Sequence, residues 1–262
     1  MNVKKHLFAL GLVAAISAPA MAADDVLPPS DTSPFSITGS AALTTEYFFR
    51  GVSQSNDSPS VSAGLNANYK FVDWLTATAG VWAASVDSAT ANGSVELDYI
   101  AGLAIVPPML PDLTINPGFT YYSYPGSNNN NGSNPAVANE PDFYEWSIGA
   151  TYNWGLFTTG ALFAYSPDFN LNSGTGKYIN GKVVVPLGYV DLSGSVGKQY
   201  VEKNAVWGNK DLVDWKIAAG AKVWGIDLEL AYLDTNAKTA FPSGATQAAT
   251  DATFIFTVTK NF

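Results

Sequence analysis

The sequence predicts an all-β chain, a transmembrane antiparallel up-and-down β-barrel of 12 strands. Three observations predict it. Segments of about ten residues alternate apolar and polar side chains, which gives a strand one oily face and one wet face. The connections between them alternate long and short, as when loops gather on one side of a membrane and tight turns on the other. Aromatic residues collect at both ends of the segments, where two interfacial girdles would lie. A soluble barrel or sandwich with oil inside and charge outside is the competing architecture.

The segment at 250–262, TDATFIFTVTKNF, shows the pattern plainly. Phe262, Val258, Phe256, Phe254 and Ala252 share one face, and Asn261, Thr259, Thr257, Thr253 and Asp251 share the other, with Ile255 as the exception. A closing strand of this kind would pair with the first and remove both sheet edges, which lipid does not tolerate open. Phe262 is then the expected C-terminal assembly signal, read by a barrel-assembly machinery. Lys260 departs from the pattern by standing on the oily face, near enough to the end to snorkel to headgroups.

Residues 1–22 read as a secretory signal. Lys4, Lys5 and His6 supply the positive start, LFALGLVAAI the apolar stretch, and Pro19 the break before a small-residue cleavage site at Ala20 and Ala22. The apolar stretch is too short for a spanning helix, and no later run approaches that length. Residues 23–35 carry Pro28, Pro29 and Pro34 and are expected to form a flexible periplasmic segment. Residues 36–262 form the expected barrel. The formal charge is −9, and removal of Lys4 and Lys5 takes it to about −11. Such an acidic chain does not suit nucleic acid. The absence of cysteine excludes a disulfide framework and thiol chemistry.

The strands follow in order. Ile37, Ala41, Leu43, Tyr47 and Phe49 oppose Thr38, Ser40, Thr44, Glu46 and Arg50, which predicts a strand over 37–50. GVSQSND is then a polar loop, and Val61 to Phe71 alternate cleanly against Ser60 to Lys70. A tight turn at 72–73 leads to Leu75–Ala84, and a loop at 87–93 leads to the strand of Val95 to Ile105. PPMLPD at 107–112 is a Pro-rich turn. In the next strand Leu113, Ile115, Phe119 and Tyr121 oppose Thr114, Asn116, Thr120 and Tyr122, and Pro117 predicts a bulge or distortion. Residues 126–141 are the longest loop. Seven further strands follow, the closing one included, with tight turns near 155, 188 and 225 and long loops at 167–176, 202–211 and 236–249. One expected girdle contains Phe71, Trp74, Trp154, Phe157, Tyr189, Trp224 and Phe262. The other contains Tyr47, Phe49, Tyr121, Tyr144, Trp146, Phe163, Tyr165, Tyr178, Tyr200, Trp215 and Tyr232.

The run Leu43-Thr44-Thr45-Glu46-Tyr47-Phe48-Phe49-Arg50-Gly51-Val52-Ser53-Gln54-Ser55, followed by Pro59 and Ala63-Gly64-Leu65, resembles the N-terminal signature of the TorF porin family. Gly80 to Asp87, Glu96-Leu97-Asp98-Tyr99 and the ending Thr257 to Phe262 are similar to that family as well. The resemblance implies an outer-membrane barrel, in the outer membrane of a Gram-negative bacterium. It brings no catalytic residue and no substrate.

Chemistry is sparse. The one histidine is His6, inside the expected signal, so a Ser-His-Asp triad, a Cys-His pair and the common zinc sites are absent from the mature segment. Glu96 and Asp98 stand two apart on one strand face, roughly 7 Å by strand rise. That separation suits a two-carboxylate hydrolase, but alternating charges on a lumen wall produce it by default. No catalytic residue, metal or cofactor is expected.

The expected lumen-lining set is acidic at Glu46, Glu96, Asp98, Glu145, Asp191, Asp227 and Glu229, and basic at Arg50, Lys182, Lys216 and Lys222. If the bore is open, acid in excess favours cations modestly. If these charges pair across strands, they stabilise a filled lumen instead. Arg50, the only arginine, is either a constriction group for anions or a pin bonded to Glu46, Glu96 or loop carbonyls. The function expected is passive diffusion of small hydrophilic solutes, without enzymatic activity and with outer-membrane lipid as surroundings. The alternative is a structural or surface-binding barrel acting through loops 126–141 and 236–249. A homo-oligomer stays open, since the sequence carries no interface signal.

Overall fold

A computed structural model describes residues 33–87, 93–127, 141–207, 211–236 and 250–262. The expected signal, most of the expected N-terminal segment and most of loops 126–141 and 236–249 lie outside the described residues. Among the described residues fourteen strands appear in chain order: β1 (Phe35–Thr44), β2 (Phe48–Phe49), β3 (Val52–Ser53), β4 (Ser60–Val72), β5 (Leu75–Ser85), β6 (Val95–Ile105) and β7 (Leu113–Ser123). Then come β8 (Phe143–Asn153), β9 (Thr158–Ser166), β10 (Gly176–Pro186), β11 (Asp191–Val201), β12 (Leu212–Val223), β13 (Ile226–Thr235) and β14 (Thr253–Asn261).

Twelve of them close into an antiparallel barrel, and β2 and β3 form a separate two-stranded hairpin. Closure is the β1–β14 pairing, in which Leu43 faces Val258 and Ala41 faces Lys260. Backbone hydrogen bonds between Gly39 and Phe262, at 2.7 and 3.0 Å, continue it past the ladder.

The faces are oriented for lipid outside. Leu65, Ile217 and Phe256 are exposed on the outer surface, while Glu96 is buried and Asp227 half-buried inside. That arrangement excludes the soluble architecture, because such a fold turns its polar and charged face outward to water. Five tight turns join the strands at one end. Trp224 and Gly225 both have positive φ in the two-residue turn between β12 and β13, as hairpin turns of the I′ kind demand.

Pro117 produces the distortion its sequence position suggests, in the form of a gap in the ladder rather than a bulge. The β6–β7 register is the same on both sides, from Gly102↔Gly118 to Ile105↔Ile115, with the pairs between them missing. Proline has no N–H to donate, and the Asn116 side-chain amide donates instead to the Leu103 carbonyl at 3.4 Å.

The first strand ends earlier than its alternation predicts. β1 stops at Thr44, and the chain then turns into the barrel instead of rising to a surface loop.

Candidate functional site

Residues 45–59 form a finger folded into the long-loop half of the lumen. Thr45 still holds β14, donating its amide to the Phe256 carbonyl at 3.0 Å. Beyond it, the chain makes the β2–β3 hairpin, with Phe48 opposite Ser53 and Phe49 opposite Val52. The hairpin's two-residue tip is Arg50–Gly51, both at positive φ (49° and 80°). Glycine tolerates this region and arginine rarely does, so the tip is held by what it touches.

The contacts of the tip lie on the far wall. Arg50 donates to both carboxylate oxygens of Glu145, Nη1 to Oε1 at 2.9 Å and Nη2 to Oε2 at 2.6 Å. Its Nη1 also donates to Gln199 Oε1 at 2.7 Å. The guanidinium lies between two rings, 4.6 Å from the centre of Phe49 and 4.2 Å from that of Tyr178. A bidentate, desolvated pair of this kind is among the stronger polar contacts, and removing one partner strands the other. A side chain at Gly51 would meet Asp214 Cβ at 2.8 Å and Thr235 Cβ at 3.0 Å. The finger therefore leaves the β1–β4 wall and reaches β8, β11, β12 and β13 across the interior.

Its sides are apolar. Phe48 packs into a cluster with Ala218, Ala231, Leu233 and Ile255. On the opposite side Tyr47 meets Trp82 edge-on at 5.6 Å, and Phe49 meets Tyr122 at 5.7 Å. Tyr122 stacks on Phe143 at 4.4 Å with an interplanar angle of 13°. The base is tied polar to polar: Tyr47 N–H donates to Ser55 Oγ at 2.9 Å, and Asp57 N–H to Glu46 Oε1 at 3.2 Å. Burial raises the Glu46 carboxyl above its usual range.

These contacts correct several sequence expectations. Tyr47 and Phe49 are not on the lipid face and do not belong to the outer girdle, and neither does Tyr178, which is fully buried within. Arg50 is bonded to Glu145 and Gln199 rather than to Glu46, Glu96 or loop carbonyls. Instead, Tyr47 reaches Glu96, donating to Oε1 at 3.0 Å. Glu96 and Asp98 are both buried, and one oxygen of each, Oε2 and Oδ1, has no hydrogen-bond partner among the described residues. Among the described residues no group of three or more acidic, His or Cys side chains is placed to hold a metal.

Sequence reasoning missed Asp214, Gln199 and the inward aromatic set. Asp214 accepts a hydrogen bond from the Tyr178 hydroxyl, its two oxygens at 3.0 and 3.1 Å. A signal for the finger did exist. Trp82, Ile100, Leu162, Leu233 and Ile255 are apolar at positions that alternation assigns to the wet face, and an oily group pointing inward needs a cover.

The remaining expected residues lie in the half of the lumen nearer the tight turns. Lys216 Nζ bonds Glu229 Oε1 at 2.9 Å, and Lys222 Nζ is 3.8 Å from Asp227 Oδ1. Lys182 is half-buried on β10, and Asp191 is exposed at the start of β11. Asn261 Nδ2 donates to Asp227 Oδ2 at 2.8 Å. On the facing wall Thr78 Oγ1 donates to Asn68 Oδ1 at 2.8 Å, and Asn68 Nδ2 to Thr38 Oγ1 at 3.3 Å. One wall thus carries Lys–carboxylate pairs, and the other chiefly amides and hydroxyls, with Lys70 paired to Asp73 at its turn end.

Solved porins and outer-membrane channels are similar to this chain. The NanC porin matches with a TM-score of 0.52 at 8% identity, over 86% of this chain and 98% of that one. The KdgM porin matches at 0.49 and 9% identity, over 86% and 98%. An outer-membrane channel from Pseudomonas putida F1 matches at 0.48 and 11% identity, over 86% and 95%. At such identities the likeness speaks for architecture alone. No curated protein matches the sequence. The model of a family described as bacterial protein of unknown function (Gcw_chp) matches residues 29–262, and the chain belongs to that family.

Proposed function

We propose that the protein is an outer-membrane channel for passive diffusion of small hydrophilic solutes, narrowed by the finger at 45–59. The observation that carries this reading is the contrast inside one closed barrel. The turn-side half is lined by half-exposed polar and charged side chains, and the long-loop half is occupied by a separable segment of loop rather than by the barrel wall. Transport through such a bore needs no chemistry from the protein, only a polar path and a low barrier. The resemblance to the TorF porins, and with it a place in the outer membrane of a Gram-negative bacterium, belongs to the same proposal.

A modest cation preference belongs to the same proposal, from the excess of acid over base counted over the whole lumen-lining set. The test is conductance in planar bilayers with unequal salt on the two sides. Discrete steps with a reversal potential on the cation side support the reading, and no steps from well-folded protein contradict it.

The filled long-loop half favours a second reading, a structural or surface-binding barrel that works through loops 126–141 and 236–249. Deleting those loops would then abolish the protein's phenotype and leave permeability unchanged. A channel gives the opposite pattern.

A further inference from the structure

The outer face of the barrel is apolar almost throughout. Among the described strands its outward charges are Lys177, Lys198, Asp234 and Lys260. Two of these are satisfied locally: Lys260 Nζ donates to the Gly225 carbonyl at 2.9 Å, and Asp234 Oδ1 accepts the Thr235 amide at 2.7 Å. Lys177 and Lys198 have no ion-pair partner among the described residues.

They also stand together. Lys177 lies opposite Tyr200 and Lys198 opposite Ile179 on the adjacent strands β10 and β11, so the two lysines are diagonal neighbours. The Lys198 ammonium sits 4.5 Å above the Tyr200 ring. Tyr165, opposite Lys177 on β9, completes an exposed aromatic flank. Both lysines are near the long-loop ends of their strands, within reach of one interface.

The neighbouring acids are turned to the backbone. Glu202 Oε2 accepts the Thr175 amide at 2.9 Å, and this bond holds its carboxyl below the usual range. Asp168 Oδ1 accepts the Gly174 amide at 3.1 Å, and Asp211 Oδ1 the Val201 amide at 3.4 Å. Two ammonium groups on a greasy wall, flanked by tyrosines and left without counter-charge, call for an anion that arrives with acyl chains attached.

We propose that Lys177 and Lys198 form a docking site for the phosphate groups of a glycolipid in the leaflet facing the long loops. The inference rests on the outer-membrane placement above and is independent of the finger. Each lysine pairs with a phosphate monoester while Tyr165, Tyr200 and Ile179 contact the sugar and chain below it.

The test uses detergent-purified full barrel and native mass spectrometry with bis-phosphorylated lipid A. Dephosphorylated lipid A and inorganic phosphate are the competitors. Wild-type protein should retain the phosphorylated lipid, K177A and K198A should each bind it about fivefold more weakly, and the double variant roughly 25-fold more weakly. The double arginine variant should retain it. Heat-modified gel mobility checks that every variant is folded. Equal affinity of wild type and folded K177A/K198A overturns the proposal. So does equal binding of the dephosphorylated lipid, or displacement by equimolar inorganic phosphate, which would mean a free-anion site. Bilayer conductance of K177A/K198A should be unchanged. Lipid selectivity with no conductance would sink the channel and spare the lipid site, and the reverse result would do the opposite.

Discussion

The two halves of this lumen are built from the same alternating strands and differ in what their inward positions carry. Toward the tight turns, those positions hold Lys182, Lys216, Lys222, Asp227 and Glu229, half-exposed or exposed and loosely paired. Toward the long loops they hold chiefly Trp82, Tyr122, Phe143, Leu162, Tyr178 and Leu233, with Glu96, Asp98 and Glu145 among them, all buried. A wall of oil facing inward cannot face water, and the finger at 45–59 is its partner. The difference teaches that strand alternation tells which side chain points inward, whereas the chemistry of the inward set tells whether that level is wet or filled.

The largest break in this contrast should come from Arg50. Arg50→Ala leaves Glu145 buried without its partner, a loss of about 3–5 kcal/mol. The finger should unseat, and single-channel conductance should rise several-fold while the barrel stays folded. Phe48→Ala empties the pocket formed with Ala218, Ala231, Leu233 and Ile255. The cost is about 3–5 kcal/mol if the cluster does not collapse. Its reading is a lower thermal midpoint together with frequent openings. Gly51→Val adds a Cβ 2.8 Å from that of Asp214 at a φ of 80°. A strain of about 1–3 kcal/mol is expected, seen as faster proteolysis within 45–59.

The turn-side half should respond differently. Lys216→Ala removes a half-exposed pair with Glu229, and such pairs contribute about 0–1 kcal/mol. Stability should hold within that margin while the reversal potential moves further to the cation side. If Lys216→Ala instead destabilised the barrel as much as Arg50→Ala, the two halves would not differ in the way described.

The barrel was legible because lipid outside and polar groups inside impose period two on every spanning strand. All twelve strands, their order and their turn sides follow from it. The site was only half legible. Glu96, Glu145 and Arg50 could be named, but their partners could not, because Arg50 meets residues 95 and 149 positions away. Tyr47 and Phe49 continue the parity of Leu43, so the departure of the chain at Thr45 looked like more strand. Phe48 between them, and Ile255 on the wet face of β14, were the local inconsistencies, and together they form one contact.

The central claim is that 45–59 narrows the bore and the barrel wall does not. It is tested most directly by replacing residues 46–57 with a short Gly-Ser connection and recording single-channel conductance beside the wild type. The account predicts a folded barrel with steps several-fold larger. Steps of unchanged size from that folded variant would contradict it.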